Sequence, residues 1–237
     1  MADNRTHWPI FLLPVAFIVA GLAALGVDVP LSQWCLDENC PPWLHDLFEI
    51  IEPYGQGIGV VLVLLAVHQL DPQRRWALLR LALCGAGAGI AADIAKMLVV
   101  RARPYHFLQP DAEGFFQPVL GGDVWSTFHG AFAFGAGGSA MQSFPSAHTA
   151  TAIGLTMGLI WLYPRGRWFF AALTLLVACQ RIESGAHYLS DVCFGAALGY
   201  LMATVCLRGG LSRKFDSWEA GWRASAERNR GPTSAAR

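Results

Sequence analysis

The chain has few charged residues. Of its 237 residues only 14% are charged, whereas 54% are hydrophobic. So small a charged fraction excludes an ordinary soluble domain. Lysine plus arginine and aspartate plus glutamate balance at 17 each, so no excess charge attracts a nucleic acid or an acidic partner. The position of the cations, rather than their number, is therefore the useful signal.

Cysteine gives little support for a disulfide framework. Four of the six cysteines fall in apolar runs: Cys84, Cys179, Cys193 and Cys206. These four are expected to pack as small apolar side chains. Cys35 and Cys40 lie close together in a segment predicted to face outwards, where an oxidising compartment would permit a local disulfide. Their spacing leaves a bridge and two free thiols equally open.

Long apolar runs dominate the chain instead. A helix that crosses a bilayer needs about 20 mostly apolar residues. Six runs approach or reach that length: roughly 8–27, 55–70, 76–100, 147–163, 168–186 and 191–207. The first run is also similar to a signal peptide, but its length and the lack of a clear cleavage site favour a retained helix. The predicted fold class is all-α, a single domain over 1–237 that forms a six-transmembrane-helix bundle.

The connections between these runs differ in charge. With a cytoplasmic N-terminus, the inside segments are 1–7, 71–75, 164–167 and 208–237, and they hold most of the lysines and arginines. The opposite side keeps Lys96, Arg101, Arg103 and Arg181. Such an excess on one side follows the positive-inside rule. Both termini are therefore predicted to be cytoplasmic, with a polar cytoplasmic tail at 208–237 and the remaining polar pieces facing outwards.

Two outward segments allow two interpretations each. Residues 43–53 mix apolar and acidic side chains as an interfacial helix does, or as an ordinary amphipathic connector does. Residues 105–144 form the longest outward segment and are rich in glycine, phenylalanine and proline. A loop of this length is uncommon unless it is used or disordered, which favours a lid or a lipid-access loop over a passive connector.

The first polar piece lies at the end of the third run. Small residues at 84–92 permit close helix approach. Asp93 and Lys96 follow one turn apart on one helix face, and Arg103 is predicted to lie two turns beyond Lys96 on roughly the same face. Charges at membrane depth are costly and usually line a polar site.

The second and third pieces carry the histidines. Ser146 in Pro-Ser-Ala-His is predicted to cap the fourth helix, whose first amides favour an anion, and His148 would reach the same place. His187 and Asp191 are predicted to share a helix face and to form a hydrogen bond. Each pattern alone is more often structural, as a cap or as a buried histidine held by aspartate.

Taken together, the three pieces indicate an anion site. Lys96, Arg103 and Arg181 would crowd like charges at membrane depth unless an anion joins them. Arginine suits phosphate because its planar fork makes two parallel bonds. A zinc site made from the two histidines and Asp191 is the competing interpretation, which three neighbouring cations disfavour because they repel a divalent ion.

The order K-x6-R-P, then P-S-x-H, then R-x5-H-x3-D resembles the type-2 phosphatidic acid phosphatase superfamily over roughly residues 55–207. That superfamily includes membrane lipid phosphatases, glucose-6-phosphatase and soluble vanadium haloperoxidases, and the predicted spans are similar to the membrane branch. Ala147 stands where the family usually has glycine, and Gln180 where it usually has serine. Neither departure removes a catalytic group, and the Gln180 amide could still donate to phosphate.

The resemblance implies a role for each residue and no metal or other cofactor. His187 would attack phosphorus and form a phosphohistidine, with Asp191 orienting its ring. His148 would protonate the leaving oxygen and then activate water. The phosphoryl oxygens would be held by a set of five residues: Lys96, Arg103, Ser146, Ala147 and Arg181.

The predicted function is metal-independent hydrolysis of a phosphomonoester or pyrophosphate on a lipid in a bacterial inner membrane, with a periplasmic active site. The resemblance suggests undecaprenyl pyrophosphate, phosphatidylglycerol phosphate, phosphatidate or phosphorylated lipid A as substrate. One alternative is phosphotransfer from a polyprenyl pyrophosphate to another lipid. The other is a non-catalytic lipid-phosphate transporter, which would need neither the His187–Asp191 pair nor a second histidine.

Overall fold

The computed structural model describes residues 11–119, 122–131, 138–208 and 210–229. Ten α-helices lie in these residues: α1 (Leu12–Ala24), α2 (Asp28–Leu36), α3 (Pro42–Ile51), α4 (Gly57–Leu70), α5 (Leu78–Lys96), α6 (Pro104–Phe107), α7 (Ala147–Leu162), α8 (Arg167–Glu183), α9 (Leu189–Arg208) and α10 (Gly210–Asn229). Four short strands form two antiparallel pairs: β1 (Val99–Arg101) with β4 (Phe128–Ala131), and β2 (Leu108–Pro110) with β3 (Phe116–Pro118). The chain is mostly helical, as predicted.

Helices α1, α4, α5, α7, α8 and α9 fall in the six predicted spans, but fewer of them have the length and hydropathy to cross a membrane. Two segments do so alone, Pro72–Lys96 and Leu189–Arg208. Two bent pairs, α1 with α2 at 75° and Pro42–Gly55 with α4 at 70°, bring the number among the described residues to four if each pair forms one broken span. Helix α7 is apolar but shorter, and α8 has 17 residues with a polar end. Residues 1–10, which begin the first predicted span, lie outside the described residues.

The bundle is centred on α7, which packs against α5, α8 and α9, while α1 packs on α9. Glycines allow the backbones to touch. A Cβ at Gly154 of α7 would lie 1.9 Å from the carbonyl oxygen of Cys84 in α5, and a Cβ at Gly199 of α9 would lie 2.4 Å from that of Ala150 in α7. The prediction that the small residues at 84–92 permit close helix approach is confirmed.

Large apolar side chains face outwards on the described helices. Phe11, Val15, Val19 and Leu22 on and beside α1 are all exposed. An apolar surface of this kind marks contact with a membrane or a partner, and here it occurs on helices apolar enough to span a bilayer. The exposed faces therefore fit an integral membrane protein.

The prediction that Lys96 and Arg103 share a helix face is wrong. Helix α5 ends at Lys96, and after a short turn the chain runs as strand β1 through Val99 and Val100. Because β-branched residues favour extended backbone, and a strand advances about 3.3 Å per residue against 1.5 Å in a helix, the chain leaves the α5 axis. Arg103 reaches its position through this extended segment.

The outward segment 105–144 is not one irregular loop. It contains the β2–β3 pair, a 3₁₀ turn at Val124–Thr127 and strand β4, which pairs back onto β1. Residues 120–121 and 132–137 of the segment predicted as a lid lie outside the described residues. Residues 43–53 are mainly helix α3, and Cys35 and Cys40 are free thiols.

The start of the predicted polar tail is helix α10, and residues 230–237 lie outside the described residues. Arg80 of α5 is buried and anchors this helix. Its Nε and Nη2 donate to the carboxylate of Glu219 at 2.8 and 2.9 Å, and Nη2 also donates to Asp216 at 2.7 Å. The guanidinium stacks 4.7 Å from the ring of Trp161. Because the side-chain hydrogen bonds that the described residues give Arg80 all go to α10, the helix is part of the folded bundle.

A second buried arginine joins three distant elements. Arg101 of β1 is fully buried and donates from Nη2 to Asp28 of α2 at 2.8 Å and from Nη1 to Asp191 of α9 at 2.5 Å. Ser190 and Thr127 accept its remaining bonds at 2.7 and 3.0 Å. Desolvating ions costs several kcal/mol each unless they are paired and fully bonded, so these residues stabilise the fold only as a complete set.

The buried arginine yields a stability prediction. Arg101→Met should lower the free energy of unfolding by about 3–5 kcal/mol, because it leaves two carboxylates buried without their cation. Adding Asp28→Asn to that variant should restore part of the loss, since one of the two unpaired charges is then removed. Denaturant unfolding of the purified protein in detergent measures both effects.

Arg165→Met is the matched control, because Arg165 is exposed in the turn between α7 and α8. It should change stability by less than about 0.5 kcal/mol. A loss at Arg101 no greater than that of the control would contradict the prediction.

Candidate active site

Ser146 caps helix α7, as predicted. Its Oγ accepts a bond from the backbone N–H of Thr149 at 3.4 Å, and its own N–H donates to the carbonyl of Asp191 at 3.1 Å. The cap residue has extended backbone, so Ala147 and His148 form the first turn of the helix. Because the first amides of a helix have no intrahelical acceptor, this end of α7 is a place where an anion can bind.

The loop before α9 presents His187. Helix α8 ends at Glu183, and Gly185 follows with φ of 64°, a backbone conformation that glycine adopts at no steric cost. A Cβ there would also lie 2.7 Å from the Leu36 side chain. The N–H of His187 donates to the carbonyl of Arg181 at 3.0 Å. The loop therefore holds His187 against the end of α8.

His187 and Asp191 do not share a helix face, contrary to prediction. Asp191 lies in the first turn of α9, whereas His187 precedes that helix. The ring Nδ1 bonds the carbonyl of Ser143 at 2.6 Å and lies 3.9 Å from the Asp191 carboxylate. Since a carbonyl only accepts, Nδ1 carries the proton. The other ring nitrogen, Nε2, then has the free lone pair.

Asp191 acts on the histidine through its neighbours. Its Oδ2 accepts from the Ser143 hydroxyl at 2.6 Å and from the N–H of Tyr188 at 3.0 Å. The second bond closes the start of α9 in the way that an acidic third residue of a helix does. Asp191 therefore fixes the residue whose carbonyl holds His187, while its charge stays close to the ring.

His187 is neutral at neutral pH. Burial lowers the pKa of this imidazole well below its usual value, and the positive charges of Arg103, Lys96 and Arg181 lower the pKa further, against the opposing bond to the Ser143 carbonyl. A nucleophile needs an unprotonated nitrogen. The surroundings of His187 keep Nε2 in that form.

His148 lies near the same cations, with its Nε2 3.6 Å from Glu52 Oε1. Arg181, Lys96 and Arg103 are close enough to act electrostatically on His148 as well as on His187. The Nε2 atom of His148 is buried and forms no hydrogen bond within the described part of the chain. The structure thus brings together the two histidines and three cations that the sequence predicted.

Two of the cations are only partly satisfied by the protein. Lys96 Nζ bonds the exposed carboxylate of Asp93 at 3.0 Å, which confirms that these two residues face one another. Arg103 has a buried Nε that finds no acceptor among the described residues. An unpaired buried donor costs about 1–3 kcal/mol, so an anionic ligand at this place would relieve that cost.

The third cation has partners that the sequence did not indicate. Arg181 donates from Nη2 to Glu52 Oε1 at 2.8 Å and from Nε to the side-chain oxygen of Gln180. The Gln180 amide in turn donates to Glu52 Oε2 at 3.5 Å. Gln180, predicted as a possible phosphate ligand, has both ends of its amide engaged here.

Three charged residues that support the site were not predicted from the sequence, although they share one recognisable feature. Asp28, Glu52 and Arg101 are ionisable residues within or beside apolar runs, and such residues are functional candidates by default. Ser143 gives no such signal, because its backbone carbonyl and its hydroxyl make the important contacts.

A cavity of about 370 Å³ opens beside the site between α4, α5 and α7. Its walls include Lys96, Asp93 and His148 together with the small residues Gly57 and Gly89. Small residues leave space next to the cations, so a group larger than phosphate alone can approach them.

The donor set of the alternative zinc site is arranged for other partners. Both carboxylate oxygens of Asp191 are bonded, one to Arg101 and one to Ser143. In the part of the chain that the structure describes, no three His, Cys, Asp or Glu side chains are grouped to hold a metal ion. Two imidazoles among three cations suit an anion better.

Two curated relatives match about half of the chain. A lipid A 1-phosphatase of Rhizobium johnstonii is 34% identical over 139 residues, which cover 55% of this chain and 49% of that protein. A lipid A 1-phosphatase of Rhizobium etli is 33% identical over 139 residues, 55% of this chain and 52% of that protein. The chain thus spans about half the length of these relatives.

A solved structure shares the fold. The transmembrane PAP2-type phosphatidylglycerolphosphate phosphatase of Bacillus subtilis aligns with 86% of this chain and 96% of its own, with a TM-score of 0.55 and 19% sequence identity. At this identity the similarity concerns the fold alone. The model of the PAP2 superfamily matches residues 77–214, a range that contains all three polar pieces. This chain belongs to the PAP2 superfamily.

Proposed function

We propose that this protein hydrolyses the phosphate ester of a membrane lipid through a phosphohistidine on His187. The observation that carries the proposal is that Lys96, Arg103 and Arg181 act electrostatically on both His148 and His187, and that Nε2 of His187 is free. A transport or binding site would need the cations alone. A neutral nucleophile and a second imidazole beside the same cations are an arrangement for catalysis.

The relatives favour a lipid A-type substrate among the candidates. Both curated relatives are named lipid A 1-phosphatases, and their similarity to this chain exceeds 30% identity, whereas the phosphatidylglycerolphosphate phosphatase shares 19%. A phosphomonoester on a glycolipid is therefore the first substrate to test. Phosphatidylglycerol phosphate, phosphatidate and undecaprenyl pyrophosphate are the comparison substrates.

The first step transfers the phosphoryl group to His187. Lys96, Arg103 and Arg181 hold its oxygens and neutralise the charge that builds up on them. Nε2 of His187 attacks phosphorus, the N–P bond forms and the P–O bond to the lipid breaks. The bound phosphate dianion offsets the charges of the three cations, so His148 can take up a proton and donate it to the departing oxygen, and the lipid leaves as an alcohol.

The second step releases phosphate. His148, now neutral, accepts a proton from water as the water oxygen attacks phosphorus. The N–P bond breaks, and His187 recovers its lone pair. During both steps the Ser143 carbonyl accepts the hydrogen bond from Nδ1–H and fixes the ring, while the Asp191 carboxylate at 3.9 Å favours the positive charge on phosphorylated His187.

Substitution of the nucleophile tests the proposal directly. His187→Ala should lower phosphate release by at least about 10³-fold, since the covalent intermediate can no longer form. The assay uses purified protein in detergent with excess chelator and the four lipids named above. His68→Ala, at the far end of α4, is the matched control and should keep full activity.

Three results would contradict the proposal. Activity that is lost to the chelator would support the zinc alternative, and activity that survives His187→Ala would exclude the phosphohistidine. A lipid that loses its phosphate only when a second lipid alcohol is present, without free phosphate, would indicate phosphotransfer.

The role of His148 can be separated from that of His187 by the leaving group. His148→Ala should slow hydrolysis of a lipid phosphate by about 10²–10⁴-fold, the usual contribution of a general acid. The same variant should lose much less with p-nitrophenyl phosphate, because nitrophenolate departs without a proton. Equal losses with both substrates would show that His148 does not act as the acid.

The localisation belongs to the same proposal. The chain lies in a bacterial inner membrane with both termini in the cytoplasm and the site facing the periplasm. The support is the distribution of lysine and arginine, which places the excess positive charge at the end of the bundle opposite to Lys96 and Arg103.

Thiol labelling tests this orientation. In a background without native cysteines, Asp111→Cys should react with a membrane-impermeant maleimide in intact spheroplasts. Arg165→Cys, also exposed but in the turn between α7 and α8, should react only after permeabilisation. The reverse pattern would place the site in the cytoplasm.

A further inference from the structure

The side edge of the Arg181 guanidinium is occupied by Glu52, which lies outside the three polar pieces, and by Gln180, which directly precedes the third piece. Nη2 donates to Glu52 Oε1 at 2.8 Å, and Nε donates to the side-chain oxygen of Gln180. The Gln180 amide nitrogen closes the ring by donating to Glu52 Oε2 at 3.5 Å. Three side chains thus form a closed cycle of hydrogen bonds.

The cycle leaves the other edge of the Arg181 guanidinium free to bind phosphate. A guanidinium has five N–H donors in a fixed plane, and Nε with one N–H of Nη2 forms its side edge. The second N–H of Nη2 and an N–H of Nη1 form the end edge, for which no acceptor occurs among the described residues. Two parallel bonds from this edge match two phosphate oxygens.

Glu52 is held firmly enough to orient its partner. It begins the 3₁₀ turn Glu52–Gly55, and within that turn the Tyr54 hydroxyl bonds Thr156 of α7 at 2.7 Å. Gln56 donates to Glu52 Oε1 at 2.9 Å. The turn is therefore fastened to the helix that carries His148.

Gln180 suits this cycle in a way that a shorter residue does not. Its amide accepts from Arg181 with one atom and donates to Glu52 with the other. A serine has a single oxygen on a much shorter side chain and cannot reach both partners. The glutamine is therefore suited to the carboxylate that α3 delivers at its end.

We propose that Glu52 and Gln180 form a clamp that positions Arg181 so that its end edge faces the phosphoryl group. Glu52 and Gln180 are positioning residues: both bond Arg181, and Glu52 Oε1 also lies 3.6 Å from Nε2 of His148. The clamp rests on the proposed function, because the phosphoryl group is the ligand that Arg181 is positioned to meet. It adds to the site one carboxylate, placed where it balances one of three crowded cations.

The clamp is tested with Glu52→Ala, Glu52→Gln and Gln180→Ser. Glu52→Ala should lower kcat by about 10–100-fold, the cost of a small misplacement of a catalytic group, and should weaken orthovanadate binding. Glu52→Gln should lose less, because its amide oxygen still accepts from Nη2. Gln180→Ser should lie between that variant and the wild type. Glu49→Ala, an exposed glutamate of the same segment, is the matched control and should behave as wild type.

A double-mutant cycle with Arg181→Lys separates positioning from general stability. Lysine lacks the side edge that Glu52 bonds, so in that background Glu52→Ala should lower kcat by less than in the wild type, the remaining loss being what the 3.6 Å contact with His148 contributes. An equal fractional loss in both backgrounds would overturn the clamp and make Glu52 a structural residue. Tighter orthovanadate binding or faster turnover in Glu52→Ala would also overturn it, since Glu52 would then compete with phosphate for Arg181.

Orthovanadate binding, followed by tryptophan fluorescence, keeps this test independent of the lipid. If the wild type releases no phosphate from any lipid but binds orthovanadate, the proposed function fails, and the clamp is still decided by the binding constants of the variants. If the wild type does hydrolyse a lipid and Glu52→Ala leaves both kcat and orthovanadate binding unchanged, the clamp alone is overturned.

Discussion

The fully buried ion pair between Arg101 and Asp191 is the interaction on which the rest of the site depends. One oxygen of Asp191 is bonded to Arg101, and the other holds Ser143. The Ser143 carbonyl in turn fixes the ring of His187. A continuous path of bonds therefore runs from the protein interior to the reactive nitrogen. The first link is also the most costly to desolvate, so the position of the nucleophile depends on the completeness of the buried charge set.

The sequence alone predicted the helical class, the Ser146 cap and the six side chains that supply the histidines, the cations and Asp191, because local patterns carry these features. It failed where backbone direction changes within a few residues. Spacings of four and seven suggested shared helix faces, but α9 begins only at Leu189, after His187, and β1 replaces a helix after Lys96. Periodicity assumes that one helix covers both residues, and at both places it does not.

The interactions that were not predicted join distant parts of the chain. Glu52 meets Arg181, and Asp28 meets Arg101, across long stretches of intervening sequence. Neither carboxylate lies in a motif, and nothing local to either residue indicates its partner. The site therefore has two layers. The sequence motif specifies the groups that touch phosphate, and the tertiary fold specifies the carboxylates that orient and balance them.

The glycine contacts between α5, α7 and α9 have a mechanical consequence. Gly154 and Gly199 bring these backbones into contact, and no rotatable side chain lies between them at those points. We therefore expect lateral pressure in the bilayer to tilt the three helices together rather than one past another. Because α7 carries His148 and α9 carries Asp191, the same contacts would keep the separation of these two groups constant.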